Sequence, residues 1–394
     1  MLELNCYQKR LYAEIDLGGV RHNFYAAKEA SPGKKIICVV KANAYGHGAV
    51  QLSRVYERIG ADMLAVSNIE EAMELRRAGL KLPILILGYT AAECAGIIAE
   101  EDFEQCVFSL DYAKALSAAA LSRGVTVKIH LKIDTGMGRI GFICRSEREE
   151  DELADALSAA RLDGLSVVGM FTHFAVADGG DDGEEFTRAQ AKSFARAIEY
   201  LRENGVDPAL KHLSNSAAIY EYPDLAISAV RPGISLYGEV ASHAFRHMPT
   251  LKTTLTLRTY VANVKTVKCG ESVGYGRAYI ADREMRVATL PIGYADGLLR
   301  TASHGKGVFT VNGKPARVLG RICMDQTMID VTGIDDVSLG TPVTVFGKDA
   351  VMDAGVLADT IGTIAHENFT GINRRVPRVY IDGGEIVEIV DYII

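Results

Sequence analysis

From residue 12 to about residue 240, short β-branched runs alternate with longer stretches of helical periodicity. The runs predict strands at Tyr12–Ile15, Lys35–Val40, Met63–Val66, Ile84–Leu87, Gln105–Phe108, Val125–Ile133, Ser166–Phe174, Lys211–Leu213 and Ala226–Val230. Helical patterns lie between them, among them Val50–Ile59, Ile69–Ala78, Tyr112–Leu121, Glu147–Ala160 and Glu184–Glu203. The stretch EEAMELRRAG stops as a helix should, with arginines in its last turn and Gly79 behind them. Strands that alternate with helices form parallel βα units. Eight or so units in this length point to a closed (β/α)8 barrel, with an open doubly wound sheet as the alternative that pattern alone leaves.

The pattern changes after about residue 245. TLKTTLTLRTYVANVKTV alternates polar and apolar residues with period two, as a half-buried strand does. Strand-like runs follow at Met285–Leu290, Gly307–Val311, Ala316–Leu319, Met328–Val331, Pro342–Phe346 and Arg378–Val390, punctuated by turns such as VNGK and IDGG. Only Ala354–His366 reads as helical. The expected organisation is therefore α/β plus β: a barrel over 12–245 and a mostly β domain over 246–394, with residues 1–11 packing on the latter.

Composition narrows the function classes. With 394 residues, 48% of them hydrophobic, the chain can build ample core without staples. A net charge of −7 gives no basic excess with which to neutralise nucleic-acid phosphates. Seven scattered cysteines with no CxxC pair do not make a disulfide framework. No apolar window of membrane-spanning length and no signal-like start is present, so a cytoplasmic protein is expected.

Polar residues cluster where the predicted barrel strands end: Lys41, Lys132, Asp134, His173, Asn215, Ser216 and Arg231. The C-terminal strand ends of a barrel form its active-site face, so these scattered positions would converge. Each alone is unremarkable, since a lysine at a strand end is usually just solvated. Lys41 follows the apolar run IICVV, and partial burial would favour its neutral amine. A neutral amine can act as a base, or join an aldehyde such as pyridoxal phosphate.

The run VVKANAYGHG resembles the cofactor-attachment motif of bacterial alanine racemases, which depend on pyridoxal phosphate. The resemblance continues through AEIDL, KIDTGMGRIGF, THFA, SNSAA, AVRPGISLYG, VGYGRAY, LPIGYADG, GRICMDQTMIDV and RRVPRVY, in order and along nearly the whole chain. It implies interconversion of L- and D-alanine, supplying D-alanine for peptidoglycan. Lys41 would hold the cofactor and act as one base, and Tyr275 as the other from the opposite face of the substrate. Two bases suit racemisation, because one removes the α-proton and the other returns it on the far side. A free tyrosine has a pKa near 10, and His173 and Arg231 resemble the hydrogen-bonded chain that would ease its ionisation. Arg231 also resembles the arginine at the cofactor's pyridine nitrogen. Always protonated, it would leave that nitrogen unprotonated and discourage transamination. Arg231→Glu is then expected to raise transamination.

The same resemblance implies a phosphate site of Tyr45, Ser216, Gly233 and Ile234, with Asn215 and His366 as further cofactor contacts. Arg139 and the backbone of Met324 would meet the substrate carboxylate, and Lys132 matches a lysine often carbamylated. Asp178, Tyr294, Arg300 and Arg321 would line the entry corridor. Tyr275 and Met324 would come from a second subunit of a homodimer. One position departs from the family pattern: His366, in GTIAHE, stands where a phosphate-binding tyrosine is usual. Histidine is smaller, so the pocket could admit serine or larger side chains as well as alanine.

Other readings exist for single motifs. Gly136-Met-Gly138-Arg-Ile-Gly141 is a literal GxGxxG after a predicted strand, the mark of an NAD-dependent oxidoreductase, but no helix pattern opens within it. His243 and His247 have the spacing of a metal pair without a third ligand, so no metal is expected. Cys323 reads as a packed thiol. A non-catalytic pyridoxal-phosphate carrier would share the barrel lysine but have no use for Tyr275, and a decarboxylase of basic amino acids fits less well around Arg231.

Overall fold

The computed structural model describes residues 3–6, 8–145, 150–242 and 244–394. Among them, eight parallel strands close a barrel: Lys35–Val39, Met63–Val66, Ile84–Ile86, Phe103–Val107, Val127–Asp134, Leu165–Phe171, Leu210–His212 and Ala229–Val230. Pairing of Phe103–Val107 with Val127–Asp134, and of Ala229–Val230 with Lys35–Val39, completes the ring. Most of these strands are buried on both faces, which is why the sequence shows them as continuous apolar runs. The helices between them start and stop on local chemistry. Asn68 and Ser109 cap Ile69–Arg77 and Leu110–Arg123 by accepting backbone N–H groups, and Gly124 ends the second in the left-handed region.

A second sheet holds ten strands in the order Asn263–Val267, Met285–Leu290, Thr327–Asp330, Lys314–Leu319, Val308–Val311, Pro342–Phe346, Leu255–Tyr260, Leu11–Asp16, Arg378–Asp382 and Glu385–Val390. Leu11–Asp16, expected from sequence to open the barrel, belongs here instead, antiparallel to Leu255–Tyr260 and parallel to Arg378–Asp382. The reason is visible in LYAEID, whose strict alternation buries every second side chain. That is the pattern of a strand with one covered face.

Three long runs also divide. Arg378–Val390 is a hairpin turned at Gly383 and Gly384, both at positive φ. The alternating run after residue 250 is two strands with different neighbours, Leu255–Tyr260 beside Leu11–Asp16 and Asn263–Val267 beside Met285–Leu290. Ala354–His366 breaks at Gly362, left-handed at φ 81°, into the helices Ala354–Ile361 and Ala365–Thr370. Of Glu147–Ala160, residues 147–149 lie outside the described residues, as does His243.

Candidate active site

The chain leaves the barrel at Lys41 through an unusual turn. Ala42, Asn43, Ala44 and Tyr45 all have φ between 50 and 55°. Left-handed backbone costs non-glycine residues roughly 1–2 kcal/mol each, so the turn must be held by its surroundings. Glu71 accepts the Ala42 N–H at 2.7 Å and the Ser67 N–H at 2.7 Å. Asn43 accepts the Ala49 N–H and donates to the Tyr392 hydroxyl. The turn aims Lys41 into a cavity of about 900 Å³ at the barrel mouth. There burial, and then the charge of Arg139, hold the Lys41 amine below the usual lysine range, with Glu71 opposing.

The cavity also receives Tyr45, Lys132, Arg139, His173, Asp178, Asn215, Ser216, Arg231, Gly233, Ile234 and His366. Arg231 is fully enclosed. Its Nη2 donates to the carbonyls of Thr172 and Leu213 and lies 3.4 Å from His173 Nδ1, while its Nη1 lies 2.7 Å from His212 Nδ1. Burial brings its pKa down to about 9, which still leaves a cation at neutral pH. His173 is driven well below the ordinary histidine range by burial and then by the neighbouring cations, Arg231 first. Lys132 is brought down to about 7, chiefly by burial, and lies 5.2 Å from the centre of the Phe171 ring.

One end of the cavity is built of hydroxyls and small residues. Ser216 Oγ accepts the Gly233 N–H at 2.8 Å and the Ser235 N–H at 3.3 Å. Asn215 caps the following helix by accepting the Ala218 N–H. A Cβ on Gly233 would lie 2.8 Å from the Tyr45 hydroxyl, so only glycine leaves the space between them open. His366 lies 5.7 Å from Tyr45, ring to ring, and its buried Nδ1 has no partner among the described residues. Burial and Lys41 push its pKa down, against Asp178. Hydroxyls, an orphaned imidazole nitrogen and a glycine-lined gap fit a phosphate, and Arg231, in the same cavity, fits a ring nitrogen. The residues present therefore suit pyridoxal phosphate.

The GxGxxG segment is spoken for. Asp134 accepts the N–H groups of Gly136 and Gly138 and pairs with Arg145 at 2.6 Å. The chain then returns as a short strand, Phe142–Ile143, beside Asp134, and no helix opens there. The amides a dinucleotide would need are occupied by a carboxylate, and the loop instead presents Arg139 to the cavity.

Five predicted residues lie elsewhere in the same chain, on the second sheet's loops. Tyr275 is 69% exposed, between Gly274 and Gly276 at positive φ, and Met324 is 53% exposed. Tyr294 is tied to the Met324 segment through its N–H to the Cys323 carbonyl. The turn Arg300–Ala302 reaches Arg321 through Ser303, whose hydroxyl accepts the Ile322 N–H at 3.0 Å. None of the five lines the Lys41 cavity. Among the described residues no group of three or more metal-ligating side chains exists, and His247 instead faces Glu221.

Two family models match the chain: the alanine racemase N-terminal domain over residues 15–241 and the alanine racemase C-terminal domain over residues 254–380. The chain belongs to the alanine racemase family. Alanine racemase 1 of Clostridium acetobutylicum is 43% identical over 386 residues, covering 97% of this chain and 98% of that protein. The alanine racemase of Desulforamulus reducens is 44% identical over 373 residues, covering 94% of this chain and 99% of that one. Among solved structures, the Bacillus anthracis alanine racemase with bound L-Ala-P superposes with a TM-score of 0.90 at 36% identity, covering 99% of both chains. Family membership removes the oxidoreductase and carrier readings.

Reading strand ends missed four buried or bridging groups of this alanine racemase fold: Glu71, Glu104, His130 and His212. Glu71 lies in a helix that reads as plain surface periodicity, and the other three lie within strands. Only the polar interruptions of apolar strands, as in VKIHLKID, could have signalled them.

Proposed function

We propose that this chain racemises alanine with pyridoxal phosphate held at Lys41, and that each active site is completed by a second copy of the chain. The observation that carries the reading is the division of the predicted residues. Lys41, Arg231, His173 and the Ser216–Gly233 cradle share one cavity, while Tyr275 and Met324 stand exposed on the other sheet's loops.

Pyridoxal phosphate, when bound, supplies an electron sink that acidifies the Cα–H of an amino acid joined to it. Tyr45, Ser216, Gly233, Ile234 and His366 hold the phosphate end, with Asn215 shaping the helix start beside it. Arg231 donates at the opposite end of the ring. Lys41, its amine easily neutral, takes or returns the α-proton on one face. Tyr275 of the second copy does the same on the other face. His173 receives the Arg231 guanidinium at Nδ1 and relays its field toward that phenol. Arg139 and the Met324 backbone N–H bind the substrate carboxylate. The neutral Lys132 amine is the form that can add carbon dioxide, losing a proton, and the carbamate would hold Arg139. Asp178, Tyr294, Arg300 and Arg321 line the way in.

The domain division follows the same logic: a cofactor-holding barrel over 12–245, lending its first strand to the second sheet, and a donating domain over 246–394 with residues 1–11. All seven cysteines are free thiols, and no described helix is long and apolar enough to cross a membrane. These features support a cytoplasmic enzyme supplying D-alanine for cell-wall synthesis.

Mixing inactive subunits tests the shared site. Lys41→Ala and Tyr275→Phe chains, each inactive alone, should regain about a quarter of wild-type activity when reassembled together. One intact site then exists in half of the dimers. No regain of activity in verified mixed dimers would show that Lys41 and Tyr275 do not act across subunits.

A further inference from the structure

A polar chain crosses the barrel interior behind Arg231. Arg231 Nη1 lies 2.7 Å from His212 Nδ1, His212 Nε2 lies 3.0 Å from His130 Nδ1, and His130 Nε2 lies 2.5 Å from Glu104 Oε2. Both imidazoles are completely buried. Glu104 stands near the start of its strand and Arg231 just past the end of another, so the chain runs from the floor of the barrel toward its mouth.

Its direction is fixed by donor chemistry. A guanidinium only donates, so His212 Nδ1 must accept, and the His212 proton sits on Nε2. That proton is donated to His130 Nδ1, which places the His130 proton on Nε2, facing the Glu104 carboxylate. Burial and the charge of Arg231 keep His212 well below the ordinary histidine range, consistent with a neutral ring that can accept. The surrounding strands are shaped for the relay. Any side chain at position 169 would collide with the His130 ring, and Gly169 leaves the slot open. The register between the strands Val127–Asp134 and Leu165–Phe171 slips at Ile129 and His130. Phe171 stacks on His212 at 4.9 Å with the planes 6° apart, and Arg231 lies over the same Phe171 ring.

Buried polar chains destabilise a core unless every member is satisfied, so a three-link chain in a barrel interior is more than packing. We propose that Glu104 is a positioning residue for Arg231, acting through His130 and His212. It accepts the last proton of a chain whose tautomers the guanidinium sets, so holding both rings in line, and it supplies the counter-charge for the buried guanidinium. It therefore sets, from across the barrel, the orientation and field of the cation at the edge of the cofactor ring. The inference rests on the reading of Arg231 as the pyridine-nitrogen contact.

The test is nitrogen NMR of histidine-labelled holoenzyme together with its visible absorption spectrum. In the wild type, His130 and His212 should both show neutral rings protonated at Nε2. Glu104→Leu leaves the His130 Nε2 proton without its acceptor, so it should move the His130 Nε2 resonance, shift the absorption maximum of the bound cofactor, and lower kcat about tenfold with little change in KM. Glu104→Gln keeps an acceptor oxygen without the charge. It should retain both tautomers while still shifting the absorption, and its near-identical shape keeps the test readable if the leucine variant does not fold. An unmoved His130 Nε2 resonance in Glu104→Leu, or an unchanged absorption spectrum in both variants, would overturn the proposal. A wild-type chain that binds no pyridoxal phosphate would instead defeat the functional reading, and the tautomer measurement would still judge the relay.

Discussion

Glu71 pins the residue that follows the cofactor lysine: its Oε1 accepts the Ala42 N–H at 2.7 Å, while Oε2 accepts the Ser67 N–H. Ala42 begins four consecutive left-handed residues, so this carboxylate offsets strain where Lys41 must be aimed. Losing a hydrogen bond to a charged group costs about 2 kcal/mol. Glu71→Ala should therefore lower stability by about that amount and weaken cofactor uptake more than Glu71→Gln, which keeps one acceptor. Urea unfolding and cofactor titration of the two variants check this. Equal behaviour of both would show that the acceptor oxygen glutamine keeps does not hold the turn.

Gly233 leaves room beside the Tyr45 hydroxyl, where a Cβ would lie at 2.8 Å. Gly233→Ala is expected to weaken pyridoxal-phosphate binding about tenfold, the equivalent of about 1.4 kcal/mol. Adding Tyr45→Phe removes the contacting atom and should recover part of the loss. Binding is read from the visible absorbance of the loaded protein. An unaltered affinity in the single variant would show that the phosphate does not occupy this gap.

His366 lies tilted beside Tyr45, its buried Nδ1 without a partner among the described residues. Tyrosine at this position would fill more of the cavity and bring a hydroxyl toward the cradle. His366→Tyr should lower kcat/KM for L-serine relative to L-alanine by about tenfold, the scale on which a small steric difference discriminates substrates. The ratio of the two rates, measured side by side, is the readout. A ratio that stays constant would remove His366 from the determinants of specificity.

Lys132 has its pKa brought down to about 7 by burial, whereas an unfolded lysine titrates near 10.4. Below pH 7 both states hold the proton, and the cost of burying the cation is fully present. Between about pH 7 and 10.4 the unfolded chain holds a proton that the folded chain lacks, so stability rises with pH across that window. Lys132→Met removes the effect. Its stability advantage over wild type should be largest near pH 6 and shrink by pH 9, as measured by denaturant unfolding at each pH. A difference independent of pH would mean that the amine is not desolvated.

The barrel strands were legible because burial on both faces writes itself as uninterrupted apolar runs, and their ends announced Lys41, Lys132, His173, Ser216 and Arg231. The strand Leu11–Asp16 was placed in the wrong sheet from position along the chain, although its alternation already marked a one-sided neighbour. The motifs of the chain carried the family, since so many segments fall in order along 394 residues.

What the chain alone could not decide was partnership at a distance. Whether Glu71 meets Ala42, or Glu104 lies behind His130, depends on how segments 29 or 26 positions apart are brought together by the barrel. No local pattern encodes that, because a polar residue inside a strand looks the same paired or unpaired. Local sequence determined the periodicities, the caps and the glycine turns, which depend on neighbours within a few residues. The closed barrel decided the rest, by bringing the ends and interiors of distant strands into one enclosed space, where burial and opposed charge set the chemistry of each side chain.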